Sequence, residues 1–155
     1  MGKFERTALT GTTKTKGDFH LSGAFTVEID SITVGGFWKV EGLEHEHETV
    51  EYQDSDDHTT HFRPGRSKTG LIRLERDWSS TPDLFNWFKT VIDGRVARKS
   101  VAIIYKNDKG DDASRFQLYE TWPKKWSVQG FNSKASGHAS EIIEIVYERM
   151  EFKTG

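Results

Sequence analysis

A mostly β domain of the α+β class is predicted for this sequence, on three observations. Apolar and polar residues alternate with a period of two in several short segments, as Phe25, Val27 and Ile29 do around Thr26 and Glu28, the pattern of a strand with one buried face. A helical stripe stands out in one segment, about 82–93. From Phe19 to Phe152 there is no long Pro/Gly/Ser linker, low-complexity tract or clear internal repeat, so the 155 residues make about one domain.

The elements follow in chain order. Residues 7–18, TALTGTTKTKGD, are Thr, Gly and Lys with almost nothing apolar, and cannot offset their own ordering entropy. A flexible arm is therefore expected at 1–18 and the folded domain at 19–155. Strands are expected at 25–29, 37–42, 44–53, 69–76, 100–106, 114–120 and 143–147. The turn formers of KNDKGDD (106–112) make a hairpin loop between two of them. In the helix, Ser79, Ser80 or Thr81 can cap, Pro82 suits the first position, Asp83 faces the positive dipole end and Gly94 suits C′. At about 100° per residue, Leu84, Phe85, Trp87, Phe88, Val91 and Ile92 fill one arc of roughly 160°. That arc, Phe85 and Phe88 included, is expected in the core.

Composition removes several functions. With 22 basic and 24 acidic residues the net charge is −2, which argues against a free-standing nucleic-acid binder that gains affinity by neutralising phosphates. The absence of cysteine removes disulfides, thiolate zinc sites, iron–sulfur clusters and cysteine nucleophiles, and fits synthesis inside the cell. The N-terminus has no apolar h-region, and runs such as Val101 to Tyr105 fall far short of the ~18 residues of a membrane span. A soluble protein without a secretory signal, and with no membrane insertion of its own, is expected. No GxSxG, P-loop, HExxH or dinucleotide fingerprint is present, and the Gly35-Gly36 pair opens no helix. An enzyme is not expected, nor any cofactor.

Charge is the sharpest irregularity. Residues 41–60 hold eight of the 24 acids (Glu41, Glu44, Glu46, Glu48, Glu51, Asp54, Asp56, Asp57) and no Lys or Arg. The sign then flips: Arg63, Arg66, Lys68, Arg73 and Arg76 are opposed by Glu75 alone. Such a two-signed surface suits pairing with further copies or with a partner, and is equally what an ordinary solvated hairpin shows. His45, His47, His58 and His61 share this region, and with Asp54, Asp56 or Asp57 they form a conceivable zinc or nickel set. Their spacing matches no standard metal motif, so exposed histidines and no metal are expected. Five tryptophans are spread along the chain, and Trp122-Pro123-Lys124-Lys125-Trp126 reads as core, an amphipathic surface element or a subunit contact.

The string FTVEIDSITVGGFWKVEGLEHEHETVEYQD (25–54) resembles the opening of the contractile-tail tube family, which includes T4-type phage tail tube proteins and inner tube proteins of extracellular contractile injection systems. RPGRSKTGLIRLERD (63–77) resembles that family's Pro-Gly turn running into a strand. LFNWFKTVIDGRVARKSVAIIY (84–105) resembles its helix and following strand, and WPKKWSVQGFNSKASGHASEIIEIVYERMEF (122–152) its C-terminal segment. The acidic Gln53–His58 stretch, which lacks Gly, and Gly137–Ser140 depart from the family pattern.

The resemblance implies an antiparallel β-sandwich or half-barrel with one flanking helix, about 82–93, and an extended hairpin, about 44–62. Six copies would close into a ring, and rings would stack into the inner tube of a contractile phage tail or injection system, with DNA or effector cargo in the channel. Implied partners are further copies, the sheath, baseplate or tube-initiator and terminator proteins, and the cargo. Implied placement is assembly in the bacterial cytoplasm and residence in the tail or particle. Expected interface residues are Glu46, Glu48, Glu51, Tyr52, Arg63, Pro64, Gly65, Trp122 and Pro123. Glu144 and Glu148 lie on the strand face opposite Ile143, Ile145 and Tyr147 and are the candidates for the bore. The alternatives are a tube-initiator or type VI secretion tube protein of the same fold, and a small metal- or ligand-binding β domain built on the four histidines.

Overall fold

The alternation at 25–29 and 143–147 is realised as strands in the computed structural model, which describes residues 25–134 and 137–154. The arm expected at 1–18 lies outside the described residues. In order, the elements are β1 (Phe25–Ile29), β2 (Ile32–Val34), β3 (Phe37–Glu41), β4 (His47–Tyr52), β5 (His61–Ser67), β6 (Gly70–Asp77), α1 (Asp83–Ile92), β7 (Lys99–Lys106), β8 (Asp112–Gln129), β9 (Ser140–Tyr147) and β10 (Arg149–Thr154). Pairing is antiparallel, in the order β2-β1-β7-β8-β9-β6-β3 with β10 also on β8, while β4 and β5 form a separate ribbon.

The fold turns on β8. Its first half pairs with β7 and β10, and its second half, from Trp122, with β9. Between the halves Glu120 sits at φ +53°, a left-handed conformation that bends the strand. The sheet folds over at this bend into an open half-barrel. Val27, Ile103 and Leu118 from one side meet Ile72, Leu74, Ile143 and Ile145 from the other in one core, closed by Leu84 and Trp87 of the helix.

Several boundaries depart from the sequence expectation. The strand expected at 114–120 runs on to Gln129, so the Trp122–Trp126 segment is strand, with Pro123 at a register shift where a missing N–H is tolerated. Pro64 and Gly65 lie inside β5 rather than in a turn. The ribbon has only two strands, so Pro64 leaves no ladder bond unmade on a further neighbour. A Cβ on Gly65 would come within 3.0 Å of the Glu48 carbonyl and the Val50 side chain. The hairpin loop at 106–112 is present: the Asn107 side-chain oxygen accepts from Lys109 and Asp111 N–H, both at 3.0 Å, with Gly110 at φ +84°.

The helix also differs at its start and in its face. Pro82 is the cap residue, no side chain caps the helix, and Ser79 and Thr81 bond each other instead. The first turn is held from the sheet: Asp83 accepts from Arg76 at 2.5 Å. At the other end Gly94 takes φ +74° and Arg95 N–H reaches the Thr90 carbonyl at 2.9 Å, closing the last turn as a left-handed Gly does. Only Leu84 and Trp87 are buried on α1. Phe88 and Val91 are half-buried, and Phe85 and Ile92 are 37% and 62% exposed, so the arc is wider than the core that receives it.

Candidate functional site

The ribbon β4–β5 begins at a root set by backbone geometry. Gly42 takes φ +90° and passes so close to Leu71 that a Cβ there would meet its carbonyl oxygen at 2.4 Å. Beyond it the buried Tyr147 hydroxyl donates to the Glu44 carbonyl, and burial pushes the Tyr147 pKa up. Gly70 is what lets the Tyr147 ring lie there, since a Cβ would fall 2.0 Å from it. The Lys68 N–H to Glu46 carbonyl bond, 2.8 Å, closes the root.

Cross-strand partners share a face, so Val50, Tyr52, His61 and Arg63 lie on one side and Thr49, Glu51, Phe62 and Pro64 on the other. On the first face the Tyr52 ring stacks on His61 with 5.5 Å between centroids, and the Arg63 guanidinium sits 5.8 Å from the Tyr52 ring centre. On the second Phe62 is 63% exposed. No residue of either strand is buried. A two-stranded hairpin with no face against a core is marginal in water.

The tip is tied by Asp57. Its carboxylate accepts from Thr59 N–H at 2.9 Å and meets His61 Nε2 at 2.6 Å, while its own N–H reaches the Asp54 carbonyl at 3.1 Å. The His61 bond, then those from Thr59, hold the Asp57 pKa below the usual carboxylate value. A depressed acid contributes order above its unfolded pKa and loses it as pH falls through the folded pKa. The tip should therefore keep its amide-exchange protection through the ordinary carboxylate range and lose it below that range. Asp57→Asn should lose this protection at neutral pH, which hydrogen exchange over 53–61 would show.

The four histidines do not converge. His45 and His47 pack edge to face at the root, 5.1 Å apart, with His45 against Ser67, whereas His61 serves the tip. Among the described residues no three His, Asp or Glu side chains group as metal ligands. Of the acids, Glu46 approaches Lys68 at 3.5 Å, and Glu48 and Glu51 have no ion pair among the described residues.

The other singled-out residues lie elsewhere. Pro123 is enclosed by the chain itself, so of the Trp-Pro pair only Trp122 has surface to offer. Glu144 stands in a cross-strand row of alternating sign, Glu41, Arg73, Glu144 and Lys125. Glu148 is bound by Arg98 at 2.6 Å. A buried cluster not signalled by any motif ties the domain together: Arg76 donates to Glu141 at 2.5 Å as well as to Asp83, and Trp126 Nε1 donates to Glu141 at 2.8 Å. Burial works against the Arg76 charge, but Asp83 and Glu141 outweigh it and hold its pKa up. The signal was Glu141 at a core-facing position of β9, in step with Ile143 and Ile145.

The fold is that of solved tube-associated proteins. It matches a chain of the PVC extracellular contractile injection system sheath–tube complex in the extended state (TM-score 0.76, 22% identity, 84% of this chain and 88% of that one). It matches equally a chain of the PVC sheath/tube terminator structure (0.80, 20%, 90% and 100%). Hcp1 from Flavobacterium johnsoniae is similar at lower score (0.52, 14%, 84% and 95%). No curated protein matches the sequence. No helix among the described residues is long and apolar enough to cross a membrane. The model of the T4-like virus tail tube protein gp19 family matches residues 22–151, which takes in β1 to β9, the helix and the first half of β10, and the chain belongs to that family of structural tube proteins.

Proposed function

We propose that six copies of this chain close into a ring and that the rings stack into the hollow inner tube of a contractile phage tail or injection particle. The protein acts as a non-enzymatic conduit for DNA or an effector. The observation that carries this reading is the ribbon β4–β5, which holds a defined register with no buried residue of its own and gains its missing support from a neighbouring copy. Ring closure also covers β2 and β3, the two ends of the strand order, whose unpaired backbone is otherwise an aggregation hazard. Repeated head-to-tail contact then extends the assembly without closing it. Assembly takes place in the bacterial cytoplasm.

Partners follow from the structures with the same fold, which come from a sheath–tube complex, a tube-terminating cap and a baseplate. Sheath, terminator and baseplate or initiator proteins are the partners proposed here. The proposed intersubunit residues are Glu46, Glu48, Glu51, Tyr52, Arg63, Pro64 and Gly65 of the ribbon, and Trp122. Glu144 and Glu148 are proposed for the bore. The alternating row that contains Glu144 offers a passing polyanion no continuous basic track, and cargo then slides without the counterion release that would make it stick.

Negative-stain microscopy of the purified protein tests the reading, rings or tubes being the expected result. Reversing Glu46, Glu48 and Glu51 together to Lys should leave a folded monomer, since all three are exposed, and abolish rings and tubes. Tubes of normal length from that variant would sink the role given to the ribbon.

A further inference from the structure

The half-barrel is open at the end where β1 begins. β3 forms one end of the strand order and β1 stands next to the other, and no ladder joins the two among the described residues. Phe25, Val40, Leu43 and Phe116 pack on the core there yet are only partly buried. With Ile103 and the 52% exposed Trp38 they line a cavity of about 390 Å³. The one charged residue of its wall, Lys39, is held by Glu41 at 2.9 Å. An apolar wall whose cation is already paired offers little to a charged ligand and suits apolar side chains. A dry apolar cavity of about 150 Å³ holds a benzene, so this one has room for an aromatic and an aliphatic side chain together.

The sequence supplies both at the cavity mouth. The chain enters β1 at Phe25, itself part of the wall. The six residues before it, outside the described residues, are Phe19-His20-Leu21-Ser22-Gly23-Ala24. Two large apolar side chains, Phe19 and Leu21, are thus followed by Ser-Gly, a turn-forming pair. At no more than about 3.6 Å per residue, Leu21 lies within about 14 Å of Phe25 and Phe19 within about 22 Å, and a turn at Ser22-Gly23 folds both back toward the opening. Upstream the apolar supply stops, since residues 7–18 are Thr, Gly and Lys with almost nothing apolar.

We infer that the cavity between β1, β3, β7 and β8 is filled by residues 19–24 of the same chain, with Phe19 and Leu21 set against Trp38, Val40 and Phe116. The chain's own segment outcompetes that of a second copy because a short tether holds it at an effective concentration of about millimolar. The contact carries the folded unit back to Phe19, and it stands whether or not the chain forms tubes.

Single-cysteine labelling of the full-length protein tests it, because the native chain has no thiol to compete. Leu21→Cys should react with a maleimide about tenfold or more slowly than Leu9→Cys, and the two rates should converge in urea. The protection should persist on dilution to concentrations at which nothing sediments. Trp38→Glu, at the half-exposed rim, should remove it while the circular dichroism spectrum stays that of the wild type. Phe19→Ser with Leu21→Ser should lower the melting midpoint of the dilute protein by about 5 °C or more, whereas Leu9→Ser should leave it unchanged. Equal labelling of Leu21→Cys and Leu9→Cys in the folded protein overturns the contact. Protection found only in sedimentable material would give the cavity to a second copy's segment, and protection that survives Trp38→Glu would put the segment elsewhere; either result overturns it as well.

Discussion

Glu141→Ala should be among the most destabilising single substitutions in this chain, costing about 3–5 kcal/mol, the usual cost of breaking a buried ion pair from one side. Glu141 is 1% exposed and Arg76 5% exposed. The substitution leaves the guanidinium with Asp83 alone, whose side chain is 42% exposed, and strips Trp126 Nε1 of its acceptor. The damage comes from the orphaned charge. Replacing both partners with apolar residues of similar volume, Arg76→Met with Glu141→Leu, should therefore be far milder than either loss alone. Urea unfolding of Glu141→Ala and of the double variant checks this; a midpoint for Glu141→Ala equal to wild type would mean the cluster does not hold the helix to the sheet.

Trp87→Ala is the second large effect, at about 3–5 kcal/mol. Trp87 is 4% exposed within the core cluster, and its ring nitrogen satisfies the Ala97 carbonyl at 2.7 Å. Truncation opens a cavity under α1 and frees the segment that leads into β7. Phe85→Ala should cost much less, about 1 kcal/mol. Phe85 is 37% exposed and keeps a tilted contact with Trp126, 4.9 Å between ring centroids. Equal losses for the two variants would mean that the helix is rotated about its axis from the position described.

Those two predictions also mark how far the sequence could be read. Periodicity found β1, the core face of β9 and the existence of α1, because alternation and the 3.6-residue stripe are local. It could not tell which part of the apolar arc would be used: Leu84 and Trp87 are covered by the sheet, while Phe85 and Ile92 project past it, and the width of the sheet is a tertiary fact. Likewise the strand expected at 114–120 left out Trp122–Trp126, yet β9 pairs with that segment across a bulge at Pro123. Pro64-Gly65 carries a turn signature, and the ribbon's freedom from further neighbours let it stay in a strand. The acidic window marked the ribbon correctly as a place of unusual charge, but its division into two unlike faces depended on cross-strand register. Of the four histidines, close in sequence, His45 and His47 at the root are separated from His61 at the tip by the length of the ribbon. Arg76 and Glu141 lie far apart in the chain, so nothing local announced their pairing.

The contrast between the ribbon and the sheet has a kinetic side. Tyr52 faces His61 across a short loop, whereas Val27 faces Ile103 and Leu74 faces Ile143. Local hairpins close in about 1–10 μs, and sheets dominated by distant pairings take milliseconds to seconds. In an emerging or refolding chain the ribbon's strands can therefore meet early, but only transiently, since a bare two-stranded hairpin is marginal in water and its root is held by Leu71 and Tyr147 of the slower body. At that moment Glu48, Glu51, Asp54 and Asp56, with no cation to neutralise them, repel the same residues on the next chain. On the contact role proposed for the ribbon, the same acids also hold unfinished subunits apart, delaying association until the far slower body has closed around Tyr147.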